Sequence, residues 1–257
     1  MRRVALSLTA SATWLAAGLA TAARDVARVV VPVECPGCQA RDVRWCDDCA
    51  APWWQDPARC ESGAPRLQRA GAALPVWSIT PLESTAHGLV AAWKDGGRRD
   101  LDRFFAAAIR REASAIEALL PERVAVVPAP ARASSTRARG VDLPMLLARA
   151  VAQQLRQGGR DAKALAALRI GAGQSRGASA RGRWSQAAGS VVPRGAAIGA
   201  SAVLIVDDVL TTGATLAACR AALQGPARPV IAALVLAHAS APARTLTHDV
   251  AGVGGRG

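Results

Sequence analysis

The run over residues 203–215, VLIVDDVLTTGAT, constrains the fold of this chain more than any other part of the sequence. Residues 203–206 are apolar and β-favouring without interruption, which is typical of a strand buried on both faces of a parallel sheet. Asp207 and Asp208 follow at the predicted carboxyl end of this strand, and a helix is predicted from about residue 216 to residue 223. In open α/β folds, this edge of the sheet is where ligands bind.

The turn between the two aspartates and the helix predicts an anion site. Backbone N–H groups at such a turn point toward a bound anion, and small or hydroxyl side chains leave it room and donors. The turn consists of Thr211, Thr212, Gly213, Ala214 and Thr215. A phosphate on this turn and a sugar diol beside Asp207 and Asp208 together describe a ribose 5-phosphate. The alternative is a solvated turn with an ordinary helix start, which the full order of strand, acids, turn and helix disfavours.

Four cysteines near the amino end form two CxxC pairs, Cys35 with Cys38 and Cys46 with Cys49. Two such pairs at a short interval supply the four thiolates of a closed, tetrahedral structural zinc site, as in zinc ribbons. The alternative is two redox or disulfide pairs, although neither pair opens a helix in a thioredoxin-like context. A unit of about thirty residues cannot bury enough apolar surface alone, so a ribbon of this size needs its metal.

The strand, acids and turn closely resemble the phosphoribosyl-pyrophosphate (PRPP) signature of type I phosphoribosyltransferases. Together with the cysteine pairs that precede them, they resemble the ComF family, in which an amino-terminal zinc ribbon is fused to a phosphoribosyltransferase domain. Residues 92–100 (AWKDGGRRD) are similar to the family's lysine-containing segment, and residues 127–140 contain a similar VPAP strand end and Arg-Gly turn. The chain differs at residues 183–187, RWSQA, where many relatives have an Arg-x-x-Asn-Leu run.

The resemblance implies a type I phosphoribosyltransferase-like parallel sheet flanked by helices, with a small amino-terminal zinc ribbon. It also implies displacement of pyrophosphate from C1 of the ribose, with Zn²⁺ as a structural metal and Mg²⁺ bound together with PRPP. Asp207 and Asp208 are expected to hold the ribose hydroxyls as catalytic residues, directly or through the metal, and the 211–215 turn is expected to bind the 5-phosphate. Arg137 and Arg139 are candidate phosphate contacts. The sequence does not identify the acceptor.

ComF relatives are implicated in natural competence, so a second function stays open. The chain is then a competence-related factor for single-stranded DNA that keeps a regulatory or vestigial PRPP site. The formal charge of +13 is uneven, because residues 121–200 hold thirteen basic against three acidic residues. Such a region attracts a polyanionic substrate and a nucleic-acid backbone alike. Trp184 is the single aromatic residue in that region, which disfavours an open base-stacking platform there.

Strands that alternate with helices predict an α/β class with a parallel sheet. The predicted organisation is an amino-terminal helix over residues 1–30, a zinc ribbon over 31–65, a phosphoribosyltransferase-like domain over 75–239 and a disordered tail over 240–257. Strands are predicted at residues 75–80, 123–127, 164–170, 202–206 and 229–237. Helices are predicted over 101–120, from Asp142 with Pro144 to about residue 158, and from Ser84, where one face consists of Ala86, Leu89, Val90 and Trp93. Residues 171–189 are rich in glycine, serine and arginine and are predicted to form a mobile flap.

The amino terminus allows two interpretations. Arg2 and Arg3 precede a mostly apolar stretch over residues 4–23, which has the outline of a secretory signal with a cleavage site at residues 20–22. Zinc thiolates and PRPP belong instead to a reducing cytoplasm, which favours an amphipathic helix packed on the ribbon and a cytoplasmic protein. No later segment of the sequence is long and apolar enough to span a membrane.

Overall fold

The structure is a computed structural model that describes residues 33–69, 74–171, 191–194, 202–226 and 228–240. The predicted helix over residues 1–30, residues 172–189 of the predicted flap, including Trp184, and the predicted tail beyond residue 240 lie outside these ranges. The described chain has an α/β fold, in which helices flank a six-stranded, mostly parallel sheet and a cluster of four cysteines precedes it. The predicted fold class is confirmed.

The described residues form eight strands in two sheets. They are β1 (Ala58–Arg59), β2 (Val76–Pro81), β3 (Arg123–Pro128), β4 (Asp161–Ala164), β5 (Leu168–Ile170), β6 (Val191–Pro193), β7 (Ala202–Leu210) and β8 (Val230–His238). The main sheet has the order β1-β2-β8-β7-β3-β4, while β5 and β6 form a separate antiparallel pair. Strands β2, β8, β7, β3 and β4 are mutually parallel, and β1 pairs with β2 in the antiparallel sense. Strand β7 is therefore central, with both neighbours parallel to it.

Seven α-helices are described in the chain. They are α1 (Asp47–Ala50), α2 (Pro65–Arg69), α3 (Ser84–Lys94), α4 (Leu101–Ile116), α5 (Ala133–Arg139), α6 (Leu143–Gln157) and α7 (Ala214–Leu223). Short 3-10 turns lie at Ala51–Trp54, Glu61–Gly63 and Glu117–Leu119. The predicted apolar face of α3 is confirmed, since Ala86, Leu89, Val90 and Trp93 are all buried. The predicted start of α6 is also confirmed, because the Asp142 carboxylate accepts a hydrogen bond from the Met145 N–H at 3.1 Å.

Alternation along the strands divides the core between the two faces of the sheet. Val126 and Leu204 belong to a cluster that includes α3, α4 and α6, while their neighbours Val127 and Ile205 belong to a second cluster with α2 and α7. Within the first cluster, the Phe105 ring lies 4.9 Å from Trp53 and 4.5 Å from Trp93, measured between centroids. The residues before the sheet thus contribute to its packing, because Trp53 precedes β1.

Besides β7, whose end is described below, two predicted elements differ from the structure. The strand predicted over residues 164–170 is wrong as one element, because β4 ends at Ala164 and β5 begins at Leu168 in the other sheet. The Leu165 N–H still bonds to Val126 O, but the chain then turns, with the Ala167 N–H bonded to Leu165 O. Neither glycine nor proline marks this turn in the sequence. The helix predicted to residue 120 ends at Ile116 and continues only as a 3-10 turn.

Candidate functional site

The acidic pair lies inside β7 and not beyond it. The strand was expected to end at residue 206, but it continues to Leu210, and Asp207 pairs in the ladder with Val235 of β8. That prediction is wrong because β8 offers a partner strand of nine residues, so the ladder continues past the acids. As a result Asp208 is only 9% exposed and Asp207 is half-buried, whereas both were expected to meet solvent.

Lys94 compensates one of the two acids. It lies in the last turn of α3, and its Nζ is 2.9 Å from Asp208 Oδ2. A cation in the last turn also interacts favourably with the negative end of the helix dipole. The sequence drew attention to the lysine-containing segment, but nothing in it indicated that Lys94 would reach Asp208.

Asp207 has a perturbed proton affinity. Burial and, secondarily, the nearby Asp208 carboxylate raise the pKa of Asp207 to about 7. Two weaker influences oppose this shift, the Asp208 N–H that donates to Asp207 Oδ1 at 2.9 Å and the charge of Lys94. Two close carboxylates that resist joint ionisation are a setting in which a divalent cation or several hydroxyl donors are favourable ligands.

The turn after β7 is tightly built. Gly213 has φ +78°, a conformation that favours glycine, and it directly precedes α7. A Cβ at this position would lie 2.6 Å from the Leu67 Cβ and 2.9 Å from the Ala64 Cβ, because α2 packs against the turn. The Arg66 N–H also donates to Thr212 O at 2.9 Å. Within the described residues no side chain caps the start of α7, so its first N–H groups are suited to receive an anion.

A cavity of about 540 Å³ lies over the acidic pair and the turn. Its lining includes most of the residues that the sequence predicted for the site, together with Lys94, His87 and the loop over residues 129–132. The predicted residues in the lining are Arg139, Asp207, Asp208, Thr211 and Thr215. Thr212, Gly213 and Ala214 do not line it and instead shape the turn and the start of α7.

A second cavity of about 720 Å³ shares the 129–132 loop with the first. Its charged lining residues are Arg132, Arg137, Asp142, Arg169 and Arg194. The excess of guanidinium groups gives this cavity donors suited to an anion. Arg169 and Arg194 lie at the β5–β6 pair, and the sequence gave no indication that they would come close to the 129–132 loop.

Arg137 and Arg139 lie on a helix that the sequence did not predict. Helix α5 follows the proline-containing loop and ends at Gly140, which has φ +70°. Its serines and threonine are weak helix formers, which explains why only an Arg-Gly turn was expected there. The two arginines serve different cavities, since Arg137 lines the second and Arg139 lines the first. Arg139 Nη2 is also paired with Asp95 Oδ1 at 2.9 Å.

The four cysteines of the CxxC pairs converge as predicted. Their Sγ atoms all lie within 4.8 Å of one another, with Cys35 and Cys46 at 3.8 Å and Cys38 and Cys46 at 3.5 Å. Zinc–sulfur bonds of about 2.3 Å in a tetrahedron place sulfurs about 3.8 Å apart, which agrees with this arrangement. All six cysteines are free thiols here, so the disulfide alternative is not found in this structure. The group can therefore hold a metal ion such as zinc.

The backbone around Cys35 favours the thiolate that a metal requires. Burial acts to raise its pKa, but backbone N–H groups of Cys38, Cys46 and Gly37 donate to the sulfur and lower the pKa to about 6. Metal binding to cysteine proceeds through the deprotonated form, so these donors favour coordination. Cys60 and Cys219 are buried apart from the group, and both pack in the second core cluster.

No protein-family model matches the chain, and no curated protein matches it. The resemblance to the ComF family therefore rests on the motifs quoted for it. Among the described helices, none has the length and apolar character needed to cross a membrane.

Proposed function

We propose that this chain is a phosphoribosyltransferase-type protein, which binds PRPP with Mg²⁺ and transfers the phosphoribosyl group to an acceptor. The observation that carries the proposal is the junction of the two cavities. One cavity holds the acidic pair and the start of α7, the other holds four arginines, and both border the 129–132 loop. PRPP has a matching distribution of groups, with a diol and a monophosphate at one end and a pyrophosphate at the other.

The first cavity suits the ribose 5-phosphate. Asp207 and Asp208 are acceptors for the two ribose hydroxyls, and the uncapped N–H groups at the start of α7 are donors for the phosphate. Thr211 and Thr215 also line this cavity and add hydroxyl donors. The fixed backbone at Gly213 keeps these donors in place, so little ordering is required when the phosphate binds.

The second cavity suits the pyrophosphate. Negative charge builds on pyrophosphate as it leaves C1, and groups that stabilise developing charge lower the barrier most. Mg²⁺ would supply such neutralisation when bound with PRPP, and the carboxylates of Asp207 and Asp208 in the first cavity could hold it. Arg137, Arg169 and Arg194 can hold the departing anion by paired N–H donors. If Asp208 held the cation, the Lys94 ammonium that now pairs with it would become available to a phosphate oxygen.

A second candidate is a competence-related single-stranded DNA-binding factor with a regulatory or vestigial PRPP site. One observation favours it, an aromatic group that lies away from the predicted basic region. Trp45 and Trp54 both pack on Phe104, with ring centroids 5.2 Å and 5.5 Å away, and Trp54 is 39% exposed. Exposed aromatic rings are surfaces on which bases stack.

Calorimetric titration with PRPP and Mg²⁺ tests the first candidate. In the variant Asp207→Asn with Asp208→Asn, affinity is expected to fall at least about a hundredfold, since each charge-assisted hydrogen bond contributes about 1.5–3 kcal/mol. The matched control is Asp161→Asn, which changes an exposed acid on β4 and is expected to bind as the unchanged protein does. Equal affinity in the double variant contradicts the assignment of the acids. No PRPP binding by the unchanged protein, with single-stranded DNA binding that Trp54→Ala abolishes, favours the second candidate.

A further inference from the structure

The first CxxC loop lies directly on the backbone of α3. A Cβ built on Gly88 would be 2.2 Å from Pro36 O, a distance that no side chain tolerates. A Cβ on Gly37 would be 2.7 Å from Cys49 Sγ and 2.8 Å from Leu89 Cδ1. Two glycines, one from each partner, thus allow this approach. We call residues 34–49 the cysteine module, and α3 forms its base.

A second connection lies just after α3. The Arg98 guanidinium donates to Glu34 O at 3.1 Å and to Arg44 O at 2.9 Å, and it is paired with Asp100 at 2.8 Å. Glu34 immediately precedes the first CxxC pair and Arg44 closely precedes the second. The module therefore holds the chain on both sides of the last turn of α3, at Gly88 before it and at Arg98 after it.

That last turn carries Lys94, the partner of Asp208. Trp93 beside it is fully buried and donates from Nε1 to Asp102 Oδ1 at 2.7 Å. We infer that the cysteine module positions Lys94 against Asp208, with Gly88 and Arg98 as the positioning residues. The effect of this positioning on PRPP binding rests on the proposed function, whereas the positioning itself does not.

The module depends on its cysteines for this task. Small units that bind a metal through four thiolates fold with the metal and lose their structure without it. When the module unfolds, α3 loses the surface under Gly88 and Leu89 and the two carbonyls that Arg98 holds. The ion pair between Lys94 and Asp208 is then open to solvent, where such a pair is worth little. Loss of the metal therefore changes the charge that Lys94 and Asp208 present to the ligand, although the four cysteines lie far from Asp208 in the sequence.

The chain offers a direct test, because Lys94 and Lys163 are its two lysines. Lys163 is exposed on the edge strand β4 and is an internal reference for acylation of the full chain by an activated ester, measured by mass spectrometry. The measured quantity is the ratio of Lys94 to Lys163 labelling without PRPP. The variant Asp208→Asn gives the ratio that is expected when Lys94 has lost its ion pair. Zinc content is determined for every sample.

We expect Gly88→Ala to retain the metal, because no cysteine changes, and to raise the ratio about fivefold, which corresponds to the upper value for ion pairs at protein surfaces. Gly225→Ala is the matched control, since its backbone, like that of Gly88, is not left-handed and a Cβ there lies 3.8 Å from the nearest atom, so its ratio is expected to stay at the starting value. Should Gly88→Ala fail to fold, the unchanged protein treated with a chelator is expected to show the same rise. An unchanged ratio after metal removal, or in folded Gly88→Ala, overturns the inference. A rise in a protein that does not bind PRPP leaves the positioning intact and rejects the proposed function alone.

Discussion

Gly213→Ala is the substitution whose cost follows most directly from the structure. A left-handed backbone costs a residue with a Cβ about 1–2 kcal/mol more than it costs glycine. The added Cβ also lies 2.6 Å from Leu67 and 2.9 Å from Ala64, and both atoms are Cβ atoms that can move only with their backbone. Overpacking of this kind costs a further 1–3 kcal/mol, approximately. We therefore expect the free energy of unfolding to fall by about 2–5 kcal/mol.

Urea unfolding followed by tryptophan fluorescence measures this loss, and Gly140→Ala separates its two causes. Gly140 has φ +70° but no atom within 4 Å of a built Cβ, so only the backbone cost of about 1–2 kcal/mol is expected. The difference between the two variants reports the contact between the turn and α2. Equal losses would refute the close packing of α2 on the turn. PRPP affinity is expected to fall in Gly213→Ala alone, because the clash displaces the N–H donors at the start of α7.

Two other predictions concern the charged groups. Because the pKa of Asp207 is raised to about 7, the carboxylate is protonated below that pH, and the affinity for PRPP with Mg²⁺ is expected to fall with each pH unit below 7. The affinity falls by up to about tenfold per pH unit below pH 7 and is constant above it. Asp207→Asn is expected to remove this pH dependence, and calorimetric titration at several pH values measures both proteins. Cys38→Ser is expected to lower bound zinc from one equivalent to nearly none and to make residues 33–69 sensitive to protease, as metal analysis and limited proteolysis check. Full zinc content in Cys38→Ser contradicts four-cysteine coordination.

Much of the fold was predictable because its signals are local. The uninterrupted apolar run before Asp207 predicted a buried parallel strand, and the spacing of Ala86, Leu89, Val90 and Trp93 predicted the buried face of α3. Asp142 followed by a proline predicted the start of α6. The end of β7 was not predictable in this way, since it depends on the register in which β7 pairs with β8 and not on the residues that follow Asp208.

The sequence predicted which residue types form the candidate site, but not the contacts between them. The acids, the turn and the four cysteines follow from residue types at fixed spacing, which sequence alone records. The pairing of Lys94 with Asp208 and the packing of Leu67 on Gly213 join residues far apart in the chain, so no spacing indicates them. The division of Arg137 and Arg139 between two cavities depends on α5, whose weak helix formers concealed it.

The strand order has a consequence for biosynthesis. Strand β2 is the first of the five parallel strands to leave the ribosome, yet its parallel neighbour is β8, the last. At 5–20 residues per second, the roughly 150 residues between them take about 8–30 s to synthesise. Throughout that time the edge of β2 that will pair with β8 has unpaired backbone N–H and C=O groups. This edge depends on other contacts, or on a chaperone, to avoid aggregation. A polypeptide that ends before residue 230 lacks β8 and therefore cannot complete its sheet, even when its cysteine module is folded.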